Sequence, residues 1–117
     1  MTPAPLKPPI SLAQLEAVDI RVGTIRRVED IPGSRKLVRF LVDFGDRPRV
    51  VLAGMKQERD DVQALAGRQA LFVVNLEPRV MAGETSEAMF FDIGYADGIP
   101  PVLAVPERAV PDGTRAG

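Results

Sequence analysis

The chain has 117 residues, of which 45% are hydrophobic and 26% are charged. That length suits one domain, and that balance excludes collagen-like, mostly disordered and coiled-coil proteins. The absence of cysteine and histidine excludes disulfide scaffolds, thiol nucleophiles, Cys/His zinc sites and imidazole bases. These exclusions favour a binding module over an enzyme. No apolar run approaches the ~20 residues of a membrane helix and no signal-peptide pattern is present, so we expect a cytoplasmic protein.

The net charge of −1 hides an uneven distribution of charge along the chain. Residues 17–59 contain ten basic and six acidic side chains, a net of +4, whereas residues 60–117 contain four basic and nine acidic ones, a net of −5. The first of these segments can therefore present a positive surface to an anionic partner such as a nucleic acid. The alternative is that its arginines only solvate one face of a strand.

The N-terminal residues predict a tail followed by a short helix. Prolines at positions 3, 5, 8 and 9 fix φ and remove backbone donors, which predicts a disordered proline-rich tail over residues 1–11 and a domain over residues 12–117. Ser11 is suited to cap a helix, and Gln14 completes a capping box. We therefore predict a short helix that ends at about residue 17.

From residue 18 onward, short apolar segments rich in β-branched residues are separated by glycine and proline, which is typical of strands. The predicted elements are strands over 19–29, 38–44, 49–54, 68–76, 86–93 and 101–105, one or two helical turns over 58–65, and a loop over 77–85. Gly23, inside the first strand, predicts a bulge or a sharp bend.

A helical segment between the third and fourth strands is where an OB-fold barrel closes its open end. The pattern therefore predicts an all-β protein, an OB-fold five-stranded Greek-key barrel with short helices and a C-terminal extension. A fragment of a β-sandwich is the competing interpretation.

Residues 75–89 gather the side chains best suited to contact a nucleic-acid chain. Asn75 supplies an amide, Arg79 a guanidinium that can fork onto a phosphate, and Ser86 a hydroxyl close to a flexible glycine. Met89 offers a polarizable apolar contact for a base. The alternative is an ordinary hairpin loop, in which Ser86 bonds its own backbone and Met89 points into the core.

Catalysis by the same segment is disfavoured. Ser86 has no histidine to take its proton, and no motif brings a lysine to it. Glu84 and Glu87 are better explained as solvated charges at strand ends than as an acid/base or metal pair. We therefore predict no catalytic residue, no metal site and no cofactor.

A second candidate contact lies in the turn that enters the second strand, where Arg35 and Lys36 are adjacent cations. In an OB barrel this loop borders the ligand face. Three of the five phenylalanines fall on core-like positions, so few aromatic rings remain to stack on bases. A nucleic-acid partner would therefore be folded RNA, recognised by its shape and backbone charge rather than by stacking of unpaired bases.

Several segments together resemble the structure-specific tRNA-binding domain of methionyl-tRNA synthetases, endothelial monocyte-activating polypeptide and stand-alone proteins of the CsaA and YgjH types. The most specific are Asn-Leu-Glu-Pro-Arg at 75–79 and Gly-Glu-Thr-Ser-Glu-Ala-Met at 83–89. Further matching segments are 18–25, 36–37, 42–45, 66–68, 73–74, 106–107 and 110–113. The resemblance covers roughly residues 16–117.

This resemblance implies a non-catalytic OB-fold homodimer that grips the outer corner of tRNA without reading its base sequence. The family's contact positions, matched motif by motif, fall on Lys36, Asn75, Arg79, Ser86 and Met89.

The resemblance also implies a dimer interface and further partners. The helix around Leu12 and Leu15 and the stretch 102–110 would build the dimer. An aminoacyl-tRNA synthetase is a further expected partner. CsaA relatives are also described as export chaperones, so binding of unfolded client proteins stays open as an alternative function.

Overall fold

The computed structural model describes residues 2–117, so Met1, the first residue of the predicted tail, lies outside the described residues. Residues 2–10 are exposed and form no regular secondary structure. The first helix, α1 (Leu12–Glu16), has the predicted capping box: Ser11 Oγ accepts from the Gln14 N–H, and the Ser11 N–H donates to Gln14 Oε1 at 2.8 Å. Over residues 2–117 no helix is both long enough and apolar enough to cross a membrane.

Short antiparallel strands form most of the remaining structure. The strands are β1 (Ile20–Asp30), β2 (Val38–Asp43), β3 (Pro48–Ala53), β4 (Gln69–Val73), β5 (Arg79–Met81), β6 (Glu84–Ser86), β7 (Met89–Phe90) and β8 (Arg115–Ala116). The main sheet has the order β3-β2-β1-β4-β7, and β8 pairs with the start of β1. Strands β5 and β6 pair only with each other.

The main sheet curls so that β7, at one end of the strand order, lies beside β3, at the other end. The Glu87 N–H, just before β7, donates to the Val50 carbonyl of β3 at 2.8 Å. The result is the OB-like barrel that the strand pattern predicted. A sandwich would instead pack two separate sheets face to face.

The core lies inside this curl and is built by alternation along the strands. Every second residue of β2 is buried, beginning with Val38 and including Phe40. The phenylalanine rings meet edge to face, with Phe40 4.9 Å from Phe90 and Phe44 5.2 Å from Phe72 between ring centroids. These buried rings are unavailable to a ligand, as predicted.

The bulge predicted at Gly23 lies two residues further along the strand: Gly23 pairs in regular register with Ala70, and the register of β1 shifts between Ile25 and Arg27. Glycine is required at position 23 because no larger side chain would fit there. A Cβ at this position would lie 2.6 Å from Val42 Cγ1 and 2.7 Å from Phe44 Cε1. The glycine thus lets β1 lie against two core side chains, Val42 of β2 and Phe44 just after β2.

The helical segment between β3 and β4 is shorter than predicted. It is one 3₁₀ turn over Val62–Leu65, and the Asp61 side chain caps it by accepting from the Gln63 N–H. Leu65 is buried in the core cluster, so the turn still covers the end of the barrel as the sequence indicated.

Three segments differ from the predicted strand pattern. The predicted strand over 86–93 is interrupted, and only Ser86, the last residue of β6, and β7 are strand residues in it. The predicted loop over 77–85 contains the β5–β6 hairpin, whose turn residues Ala82 and Gly83 have φ of 50° and 77°, as a type I′ turn requires. The predicted strand over 101–105 makes only one isolated bridge, between Ile93 and Val102. Strands of two or three residues give too little alternation to be recognised from sequence.

The last residues form a C-terminal clasp, which we define as residues 110–116. The Gly113 N–H donates to the Val22 carbonyl at 2.8 Å, and Asp112 Oδ1 accepts from Thr24 Oγ1 at 2.5 Å and from Gln69 Nε2 at 3.1 Å. Gly113 has φ of 87°, and a Cβ there would lie 2.2 Å from the Phe44 carbonyl oxygen. The clasp therefore ties the first part of β1 to Gln69 at the start of β4.

Candidate nucleic-acid interface

The β5–β6 hairpin is anchored to the barrel through Ser86. Its Oγ accepts from the Leu52 N–H of β3 at 3.0 Å and donates to the Ala88 carbonyl at 3.1 Å. Only 6% of Ser86 is exposed. This residue was predicted to contact RNA, but its hydroxyl is engaged by the backbone on both sides.

An ion pair holds the outer end of the hairpin. Arg39 Nε of β2 lies 2.8 Å from Glu84 Oε1, and the same guanidinium also pairs with Glu29 of β1. The hydrogen bond to Glu84 is the main reason that the pKa of Arg39 is raised. The hairpin is therefore fixed to β2 by a charged side chain that crosses between the two sheets.

A second ion pair holds the base of the hairpin. Glu87 accepts from the Val50 N–H and from Arg47, both at 2.8 Å. Burial opposes the charge on Glu87, but these two donors together outweigh burial and lower its pKa. The expectation that Glu84 and Glu87 are simply solvated charges was wrong, since both carboxylates position the hairpin.

Alternation along β5 decides which side chains face outward from the anchored hairpin. Arg79 and Met81 lie on one face of the strand and Val80 on the other, where 73% of it is exposed. Arg79 is exposed and makes no ion pair with any residue between 2 and 117. Its guanidinium can therefore bind an external anion without first breaking a contact.

Met89 lies on β7 beside the hairpin, paired with Val73, and 48% of it is exposed. It therefore does not point into the core. A cavity of about 70 Å³ lies between the hairpin and β7. Its lining consists of Leu52, Leu76, Glu77, Arg79, Met81, Ser86, Glu87, Ala88 and Met89.

Asn75 holds the junction of α1 and β1. Its Oδ1 accepts from the Asp19 N–H at 2.9 Å, and its Nδ2 donates to the Ala17 carbonyl at 2.7 Å. One donor and one acceptor position of this amide, predicted to bind RNA, are thus already in use.

Arg35 and Lys36 are exposed in the loop between β1 and β2. Ser34 shapes this loop, because its Oγ accepts from the Leu37 N–H at 3.0 Å. The Lys36 carbonyl accepts from the Lys56 N–H at 3.0 Å, so the loop lies against the end of β3. Neither cation has an acidic partner within the described residues.

Most of the cations in the positive segment 17–59 are neutralised by neighbouring carboxylates. The ion-paired ones are Arg21, Arg26, Arg39, Arg47, Arg49 and Lys56. Eight cations have no such partner in the described part of the chain, and we call the three on the β1–β2 loop and the hairpin, Arg35, Lys36 and Arg79, the interface cations. The others are Lys7, Arg27, Arg59, Arg68 and Arg115. Ion pairing thus leaves less free positive charge in residues 17–59 than their composition suggested.

The described residues contain no cluster of three or more carboxylates or other ligands that would hold a metal ion. What the arrangement offers is an anchored hairpin, unpaired guanidinium and ammonium groups, and a half-exposed apolar lining. Those features suit a ligand that carries both negative charge and apolar rings.

Small antiparallel barrels with a cationic surface of this kind form a class of nucleic-acid-binding domains. The family model described as "Putative tRNA binding domain" matches residues 20–115. The chain belongs to this tRNA-binding domain family.

Three relatives illustrate the similarity. The chain is 37% identical to the methionine–tRNA ligase of Methanothrix thermoacetophila over 107 residues, which are 92% of this chain but only 15% of that ligase. It superposes on the MetRS-related protein of Pyrococcus horikoshii with a TM-score of 0.85 at 27% identity, covering 95% of this chain and 100% of that one. The chaperone CsaA of Bacillus anthracis gives a TM-score of 0.77 at 27% identity, covering 94% and 100% of the two chains.

Proposed function

We propose that this protein binds folded tRNA at its outer corner, without catalysis, through the face formed by the β5–β6 hairpin and the β1–β2 loop. The observation that carries the proposal is that the interface cations are exposed and unpaired in the described structure, whereas most cations on β1, β2 and β3 are ion-paired. Membership of the tRNA-binding domain family and likeness to part of a methionine–tRNA ligase support tRNA as the partner.

The arrangement favours recognition of shape over sequence. The hairpin is held by Ser86, Glu84 and Glu87, so Arg79 projects from a rigid support. A few fixed cations match phosphates only when the RNA backbone already has the complementary curvature, because bending a flexible strand to fit costs conformational entropy. A folded tRNA supplies such curvature.

A competition experiment tests this proposal. A labelled tRNA transcript bound to the protein at low salt is challenged with unlabelled tRNA or with an unstructured RNA of equal length. We expect the unstructured RNA to compete at least tenfold less well. Equal competition by the two RNAs would refute recognition of shape.

We propose further that the protein acts as a homodimer, which would bring two sets of interface cations to one tRNA. Exposed apolar side chains support this proposal, since Leu12 and Leu15 of α1 are 69% and 55% exposed and Val102 is 55% exposed. Sedimentation velocity should give twice the chain mass of 12.7 kDa. The Leu15→Lys variant should sediment as a monomer, and a monomeric wild-type protein would contradict the proposal.

The second candidate function is binding of unfolded polypeptides. The likeness to CsaA of Bacillus anthracis, which is named a chaperone, and the exposed apolar residues support it. A light-scattering assay on a denatured client protein tests it. Suppressed aggregation that is unchanged in Arg79→Ala would support a separate chaperone function, and no suppression would remove it.

A further inference from the structure

We propose that the cavity between the β5–β6 hairpin and β7 binds a single unstacked nucleobase of the tRNA, while Arg79 holds the adjoining phosphate. This inference rests on the proposed function, because it names the part of the tRNA that the same face recognises. The cavity would add one contact to a base, whereas the rest of the interface recognises only the shape of the tRNA.

The lining of the cavity suits an apolar ring. Leu52 and Ala88 are buried at 4% and 8% exposure and form its floor. Leu76 and Met89 are half exposed at 51% and 48% and form its walls with Met81. Covering these half-exposed apolar walls with a ring is favourable, because the ring removes their surface from water.

The two methionines make the cavity suitable for any of the four bases. The thioethers of Met81 and Met89 are polarizable and flexible, so they contact the face or edge of an aromatic ring without a fixed hydrogen-bond pattern. The volume of about 70 Å³ is well below the roughly 300–1,000 Å³ of pockets that enclose a drug-sized ligand. The cavity therefore receives part of one base and not a longer segment.

Arg79 at the mouth of the cavity favours a nucleotide over an apolar peptide side chain, and of the two carboxylates on the lining Glu87 is already paired with Arg47. Arg79 lies two residues from Met81 on the same face of β5, so a cation stands beside the apolar wall at the spacing of about 7 Å set by the strand. A nucleotide presents a ring and an anion side by side, whereas an apolar side chain leaves Arg79 unused. Glu77, also on the lining, can accept a hydrogen bond from an exocyclic amino group.

Abasic substitution tests this proposal, because it removes a base and keeps its phosphate. A set of tRNA transcripts would each carry one abasic nucleotide at an unpaired position of the outer corner. Their affinities would be measured with wild-type protein, with Leu76→Ser and Met89→Ser, and with the control Val80→Ser, which changes an exposed residue outside the cavity.

We expect one abasic position to weaken binding to the wild-type protein about tenfold, in line with the loss of one base contact. Leu76→Ser and Met89→Ser should weaken binding of intact tRNA by a similar factor and show no further loss with that abasic tRNA. Val80→Ser should retain the full abasic effect.

Two results would overturn the base pocket while leaving the proposed function intact. In the first, no abasic position weakens binding although tRNA still binds and outcompetes unstructured RNA. In the second, the abasic loss is unchanged in Leu76→Ser and Met89→Ser. Weaker capture of an unfolded client by these variants, with intact tRNA binding, would instead assign the cavity to polypeptides. Failure of the wild-type protein to bind tRNA at all would overturn both proposals.

Discussion

The β5–β6 hairpin and the C-terminal clasp are both short segments fastened to the same barrel by polar contacts, but they differ in what they leave free. In the clasp, both Asp112 oxygens are engaged, by Thr24, Gln69 and Arg26. In the hairpin, the anchoring groups are also engaged, but Arg79 is left without an acidic partner among residues 2–117.

This difference shows how similar residue types serve folding in one place and recognition in another. Arg26 of β1 pairs with Asp43 and Asp112, so a phosphate would have to displace two carboxylates to bind it. Arg79 requires no such exchange. A net charge near zero is therefore compatible with binding RNA, because some cations stay unpaired while the paired ones contribute little external field.

The largest expected effect breaks the clasp. Gly113→Ala should lower the free energy of unfolding by about 3 kcal/mol, because alanine disfavours the positive φ and its Cβ would meet the Phe44 carbonyl oxygen. Urea denaturation measures the change. Gly33→Ala is the matched control, since Gly33 has φ of 81° but nothing within 4 Å of its Cβ position, so only about 1 kcal/mol should be lost. Equal losses in the two variants would mean that the clasp does not pack closely on the barrel.

The next largest effect weakens the anchor of the hairpin. Ser86→Ala should cost about 2 kcal/mol of stability, because the Leu52 N–H loses its acceptor inside the barrel. Urea denaturation and tRNA affinity should be measured on the same preparation. A loss of affinity with unchanged stability would contradict an anchoring role and would favour direct contact between Ser86 and RNA.

Removal of the unpaired cation Arg79 should affect RNA binding without affecting folding. Arg79→Ala should weaken tRNA binding about tenfold and make the dependence of log K on log salt shallower by roughly 0.7–0.9, because one phosphate contact is lost. Its stability should not change. Arg108→Ala is the control, since Arg108 is exposed and pairs only with its neighbour Glu107 in the described structure. An identical salt dependence in wild type and Arg79→Ala would remove Arg79 from the interface.

The smallest expected effect concerns the Asp92 carboxylate. Unlike Asp112, it has a buried oxygen without a hydrogen-bond partner in the described structure. Burial raises the pKa of Asp92 from 3.8 to about 6, although Arg59 partly opposes this shift. The folded protein therefore binds this proton more tightly than the unfolded chain does. The contribution of Asp92 to stability is present below pH 4 and is lost as the pH rises through about 6.

Asp92→Asn should therefore be more stable than the wild type by about 1 kcal/mol at pH 7.5, a value already reduced for solvent screening. The difference should disappear at pH 4. Thermal unfolding of the two proteins across this range measures it, and a difference that does not depend on pH would contradict the shifted pKa.

The sequence predicted those parts of the fold that depend on local patterns. The capping box at Ser11, the alternation of β2 and the turn that covers the barrel end are confirmed, because each is set by neighbouring residues. The strand β8 was missed and the bulge in β1 was placed two residues too early, because both depend on pairing between distant parts of the chain.

The same limit applies to the candidate site. The residue types around Arg79 and Met89 could be singled out from the sequence as suited to a phosphate and a base. The pairing of Arg39 with Glu84 and of Arg47 with Glu87 could not, since the two partners lie 45 and 40 residues apart in the sequence. Sequence therefore suggested which groups are present, and only the fold shows which of them are already engaged.

Ultraviolet crosslinking followed by mass spectrometry tests whether tRNA binds at the β5–β6 hairpin and the β1–β2 loop. A complex of the protein with a tRNA transcript would be irradiated, digested and searched for peptides that carry a nucleotide. We expect crosslinks within residues 33–37 and 76–89. Crosslinks confined to the C-terminal clasp, with both of these segments unmodified, would contradict binding at this face.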